Sequence, residues 1–159
     1  MAFALLYLIY FILVAFSLPC TIIAQTSRNV SLGSSLAAEN NVNSSFWPSP
    51  SGEFAFGFRQ IGKYGFLLAI WFNKIPERTI VWSANRNSLV PQGSKVELTS
   101  DGQFVLNDAR GNQIWYADSS RTGVSHAAML DTGNFVLANG NSTYLWESFH
   151  RPTDTILPT

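Results

Sequence analysis

Two hydrophobic regimes divide the chain. Met1 to Ala24 carries no charged side chain, and Phe3 to Phe16 is almost unbroken apolar sequence before Ser17, Pro19 and Thr21 interrupt it. After residue 25 the apolar positions no longer follow the spacing of an amphipathic helix. They fall in short Val, Ile, Phe, Leu, Trp and Tyr runs parted by Gly, Pro, Asn, Asp and Ser, the pattern of many short antiparallel strands. The runs predict strands over 51–59, 65–72, 80–84, 95–98, 103–107, 112–117, 127–130, 134–138 and 142–146. Ser100-Asp101-Gly102, Asp108-Ala109-Arg110-Gly111 and Asp131-Thr132-Gly133 supply the Gly and Asp that tight reversals need.

The strands repeat. Gly102-Gln103-Phe104-Val105-Leu106 matches Gly133-Asn134-Phe135-Val136-Leu137, and Trp115 matches Trp146 at the same offset of thirty-one residues. Gly52-Glu53-Phe54-Ala55-Phe56 reads as a further copy with Trp82 as its tryptophan. Its Gly-to-Trp interval is thirty residues rather than thirteen, which places an extra strand or loop over about 59–76. Neighbouring side chains of a strand face opposite ways. Phe104 with Leu106, Phe135 with Leu137, and Phe54 with Phe56 and Phe58 therefore face a core. Thr99, Asp101, Gln103, Val105 and Asn107 share the outward face of one copy, and Leu130, Thr132, Asn134, Val136 and Ala138 that of the next. Three tryptophans at equivalent points, Trp82, Trp115 and Trp146, predict a shared aromatic centre.

Composition narrows the function. Of 159 residues, ten are Lys or Arg and ten Asp or Glu, so there is no basic surface to neutralise a nucleic-acid backbone. The apolar N-terminus reads as a signal peptide over 1–24 with the mature domain over 25–159, although its n-region lacks Lys and Arg. An uncleaved signal anchor is the alternative. The one cysteine, Cys20, lies inside that segment, so the mature domain must stand on its core without disulfides. Sequons at Asn29, Asn43 and Asn141 point to a glycosylated, secreted or cell-surface protein.

These segments resemble the bulb-type (monocot mannose-binding) lectin domain, in the form found at the N-terminus of plant G-type lectin S-receptor-like serine/threonine kinases. The carrying residues are Ser49 to Phe58, Ile70-Trp71-Phe72, Thr79 to Arg86, Leu130 to Leu137, Leu145 to Phe149 and Pro152 to Pro158. The resemblance implies an all-β fold, a β-prism II of three four-stranded antiparallel sheets with pseudo-threefold symmetry, here preceded by a hydrophobic signal helix. It also implies a Gln-x-Asp-x-Asn-x-Val-x-Tyr strand on each sheet, whose polar side chains bond mannose hydroxyls while Val packs on the ring. In this chain the motif is degraded. Thr99, Asp101, Gln103, Val105 and Asn107 keep Asp and Val, with Gln103 able to take the part of Asn. The third copy keeps Asn134 and Val136 beside Thr132. In the first, Ser49, Ser51, Glu53, Ala55 and Gly57 keep nothing.

No phosphate loop, catalytic loop or nucleophile elbow occurs, and His126 and His150 stand in no ligand-spaced cluster. The expectation is a binding module, not an enzyme, with no cofactor and no metal. Its expected partner is a glycan or glycoprotein. The alternative is a protein-recognition ectodomain forming homo- or heterodimers without sugar. Nucleic acid is not expected, and a membrane enters only through an uncleaved anchor or a downstream segment. The chain stops at Thr159 where the lectin domain ends, which leaves a fragment, a truncated product or a free secreted domain open.

Overall fold

A computed structural model describes residues 29–40, 45–119 and 123–153. The signal segment and Asn43 lie outside the described residues. Twelve strands are described: β1 (Val30–Ser31), β2 (Ser35–Ala37), β3 (Phe46–Pro48), β4 (Phe54–Ile61), β5 (Gly65–Phe72), β6 (Ile80–Ser83), β7 (Lys95–Leu98), β8 (Phe104–Asn107), β9 (Gln113–Tyr116), β10 (Val124–Met129), β11 (Phe135–Asn139) and β12 (Tyr144–Glu147). A single 3₁₀ turn, Ser148–His150, follows. The strands form three four-stranded sheets: β3-β4-β5-β6, β2-β7-β8-β9 and β1-β10-β11-β12, called the first, second and third sheets below. Every pairing is antiparallel. The N-terminal segment from Val30 to Pro48 hands one edge strand to each sheet in turn, so it laces the three together.

Nine strands sit where the hydrophobic pattern put them. The three that escaped it, β1, β2 and β3, are only two or three residues long, too short to show an alternation. The repeat holds for the second and third copies, but the first was framed one strand too early. Trp82 pairs with Ile70 as Trp115 pairs with Leu106 and Trp146 with Leu137, and each ladder bulges one residue further on. The counterpart of β8 and β11 is therefore β5, inside the stretch expected to be an insertion. β4, with its Phe54 and Phe56, is the counterpart of β7 and β10. The false match has a physical cause: Gly52, Gly102 and Gly133 all hold a left-handed turn (φ +74°, +85° and +86°), and each donates its N–H to the residue three back. The same turn chemistry serves β3–β4 in one sheet and β7–β8 or β10–β11 in the others.

The inner faces meet on an aromatic axis. Phe56, Phe104 and Phe135 are fully buried and stacked, with ring centroids 4.1, 5.3 and 5.7 Å apart. Trp47 stacks on Phe56 at 5.8 Å and on Phe135 at 6.1 Å. At one end Trp82, Trp115 and Trp146 form a pinwheel, with centroids 6.0, 6.0 and 5.9 Å apart and rings crossed at 73°, 78° and 75°, the edge-to-face geometry that aromatic pairs prefer. Trp82 closes the axis by donating its ring N–H to the Arg151 carbonyl at 2.7 Å. The symmetry is not one of side-chain size. Trp47 and Phe56 occupy the positions filled by Leu36 and Val96 in the second sheet and by Val30 and Ala127 in the third, so one sheet's bulk fills what its sisters leave open.

Trp82 is buried, whereas Trp115 is partly exposed at the rim. Trp82→Ala is expected to lower stability by about 3–5 kcal/mol in urea denaturation, with Trp115→Ala costing less. Equal losses, or the reverse order, would show that the pinwheel does not close the core as described.

Candidate functional site

With the inner faces committed to the core, chemistry is left to the outer faces, and register says which residues share them. Gln103, Val105 and Asn107 of the second sheet stand where the first has Leu67, Ala69 and Trp71 and the third has Asn134, Val136 and Ala138. Three copies of one strand thus present three different surfaces.

The second sheet is polar and open. Asp101 is exposed at the tip of the turn between β7 and β8. Thr99 donates its hydroxyl to Asp101 Oδ1 at 2.6 Å, and Gln103 donates its amide to Asp101 Oδ2 at 2.7 Å. These two bonds, that of Thr99 first, hold the Asp101 carboxyl below the usual carboxylate range. A carboxylate accepts about four hydrogen bonds, so both oxygens keep capacity for a ligand. The turn is locked from behind. Gly102 holds φ +85°, and a Cβ there would stand 3.2 Å from Val124 Cβ and 3.3 Å from its carbonyl oxygen. Val105 follows on the same face at 7% exposure, then Asn107. Lys95 and Glu97 flank the strand on β7, paired at 2.7 Å.

The third sheet keeps two motif residues but has spent them. Asn134 is 5% exposed. Its amide donates to Glu147 Oε2 at 2.7 Å, and its carbonyl accepts from the Ser148 hydroxyl at 3.0 Å and the Phe149 N–H at 3.2 Å. That side chain anchors the 3₁₀ turn. Thr132 accepts from the Asn134 N–H at 3.4 Å, and Val136 and Ala138 are buried.

The first sheet is sealed. Trp71 lies 2% exposed across Gly57, where a Cβ would meet Phe46 Cβ at 3.0 Å and the Trp71 ring at 3.3 Å. Phe46 packs edge-on against Trp71 at 5.8 Å and the Arg59 guanidinium caps it at 5.6 Å. Ser49, Ser51 and Glu53, the outward positions expected from the sequence, instead belong to the β3–β4 turn. Ser51 donates its N–H to Asp131 Oδ1 at 2.8 Å, which ties that turn to the third sheet. The sequence reading missed Tyr116 and Asp118, beside Val105 and Gln103. The signal was present, since Tyr116 follows the inward Trp115 by one residue and so faces out. Among the described residues no three His, Cys, Asp or Glu side chains converge as a metal site.

A triangular prism of three sheets, each turning one strand outward as a shallow polar or apolar face, is the β-prism II architecture of lectins. Residues 79–159 match the family model described as D-mannose binding lectin, and the chain belongs to that family. It is 46% identical over 144 residues to the G-type lectin S-receptor-like serine/threonine-protein kinase LECRK1 of Oryza sativa subsp. indica, covering 86% of this chain and 17% of that protein. To the corresponding kinase RLK1 of Arabidopsis thaliana it is 49% identical over 149 residues, covering 86% and 18%. The chain thus spans less than a fifth of the length of these relatives. The fold is shared with a monomeric monocot mannose-binding lectin from Gastrodia elata (TM-score 0.56, 17% identity, 76% of this chain and 94% of that one). It is shared too with the Marasmius oreades lectin (TM-score 0.57, 15% identity, 76% and 88%).

Asn134 has a structural task that leaves no capacity for a ligand. Asn134→Ala is expected to lower the thermal midpoint, at a cost of about 2–3 kcal/mol for the stranded partners, while leaving any glycan affinity of the domain unchanged. A stable variant with weakened glycan binding would return this residue to the site.

Proposed function

We propose that this chain is an extracellular glycan-recognition domain whose sugar site lies on the second sheet, at Thr99, Asp101, Gln103, Val105 and Asn107. The observation that carries the reading is the Asp101 carboxylate, exposed, ionised and bonded by Thr99 and Gln103 into a fixed orientation. A fixed acceptor beside an amide with an unengaged carbonyl matches adjacent hydroxyls of a pyranose, and the small apolar step of Val105 suits its C–H face. The printed names of the structural neighbour from Gastrodia elata and of the receptor-kinase relatives give the same direction: mannose for the ligand class, a receptor ectodomain for the setting.

The domain works as a binding module rather than a catalyst. Residues 1–24 act as its signal peptide and 25–159 as its lectin domain. Two of the sequons support a glycoprotein with a free second sheet. Asn29 is exposed just before edge strand β1, and Asn141 is exposed in the β11–β12 turn. Glycans on both would border the third sheet, whose motif residues are already spent.

With one sheet active and few anchoring bonds, the affinity is weak, with a Kd on the order of 1 mM for a monosaccharide. Calorimetric titration of the secreted domain with methyl α-mannoside, alongside a glycan array, tests this. Asp101→Ala should abolish the signal with little change in melting temperature. Because the Asp101 pKa is depressed, its charge persists as pH falls from neutrality. Binding should be level down to about pH 5 and decline only in stronger acid as the carboxyl takes up its proton. Binding to no glycan, or binding indifferent to Asp101→Ala, defeats the proposal and leaves protein recognition as the role of this surface.

A further inference from the structure

Tyr116 stands directly across from Val105 in the β8–β9 ladder, so the two side chains share the outer face of the second sheet. It is 50% exposed, and its hydroxyl has no partner among the described residues. The equivalent positions of the other sheets hold Ser83, which is buried, and Glu147, which closes its own groove by taking the amide of Asn134. An open aromatic at this point is therefore peculiar to the sheet that keeps its polar strand.

Beside Tyr116 lies a small depression of about 20 Å³ bordered by Gln103, Tyr116 and Asp118 and floored by Val105 and Ala117. A space of that size holds one water, and hence one hydroxyl group. Around it the Gln103 side-chain carbonyl and the exposed Asp118 carboxylate are unengaged by other described residues.

We propose that Tyr116 and Asp118, which lie outside the motif strand, complete this site for a terminal hexopyranose. Tyr116 is the platform for the sugar's apolar C–H face, and Asp118 with Gln103 receives one hydroxyl in the notch. The inference rests on the sugar-site reading above and deepens it. A pyranose is apolar across one face and ringed by hydroxyls at its edge. An aromatic ring flanked by acceptors is complementary to both parts, and tyrosine offers that area at little conformational cost. The substitutions on β8 that depart from the family strand, Asn107 above all, remove an aromatic from the motif strand. Tyr116 supplies one from the next strand.

The test is titration of the wild-type domain with methyl α-mannoside beside Asp101→Ala, Tyr116→Ala, Tyr116→Phe and Asp118→Asn, with melting temperatures recorded for all. The expected result is about tenfold weaker binding for Tyr116→Ala, equivalent to about 1.4 kcal/mol. Tyr116→Phe should stay within about threefold of wild type because the ring does the stacking. Asp118→Asn should weaken binding by about threefold or more, since a neutral amide accepts a hydroxyl less strongly. Melting temperatures should not move, because both side chains are exposed. If Asp101→Ala abolishes binding while Tyr116→Ala binds as wild type, the platform is wrong and the motif-strand site stands. If wild type takes no mannoside, the site reading fails and the platform with it.

Discussion

Three sheets that turn their apolar faces to one axis leave a channel between them, and how that channel is filled governs the rest of the molecule. Aliphatic side chains alone reach the axis poorly from three directions. Stacked Phe56, Phe104 and Phe135, with Trp47 alongside and the Trp82–Trp115–Trp146 pinwheel at one end, span it. Packing at interior density tolerates little change in volume. This explains why bulk is traded between sheets: Phe56 sits where the third sheet has Ala127, and Leu68 sits where the second has Phe104. No disulfide assists, since the one cysteine lies in the N-terminal segment.

A core so demanding leaves the outer faces unconstrained, and they have diverged along three separate courses. One has become apolar and is roofed by Trp71, Phe46 and Arg59. Another has turned its amide inward, so that Asn134 is now a brace for the 3₁₀ turn. The second sheet alone keeps side chains whose hydrogen-bonding capacity points to solvent. The repeat that built a threefold fold therefore no longer carries a threefold function.

Much of this was legible from residue order. Period-two alternation in Gly102–Leu106 and Gly133–Leu137 gave the strands and their inward phenylalanines, and the spacing of Trp115 and Trp146 gave the pinwheel. The first copy misled because a left-handed glycine turn is a local object. Gly52 makes one as well as Gly102 does, yet it opens a different hairpin, and only the Ile70–Trp82 pairing reveals the frame. The candidate site was read correctly where it lay along one strand, as with Thr99, Asp101 and Gln103. Reading failed where a side chain's fate depended on residues across the sheet. Glu147 and Ser148, thirteen and fourteen positions beyond Asn134, decide that it faces inward, and Tyr116 reaches Val105 only through a β-ladder.

The lacing of all three sheets by Val30 to Pro48 bears on how the domain is made. This segment leaves the ribosome first, yet β1 finds its partner, Ala127 on β10, only when nearly the whole described domain has been synthesised. Pairings so distant along the chain are slow to form, and until they do each sheet exposes a bare edge able to pair with a neighbouring chain. The same early segment that finishes the prism thus sets the period during which the nascent protein is most exposed to aggregation, and trimming even a few residues from it would lengthen that period for more than one sheet.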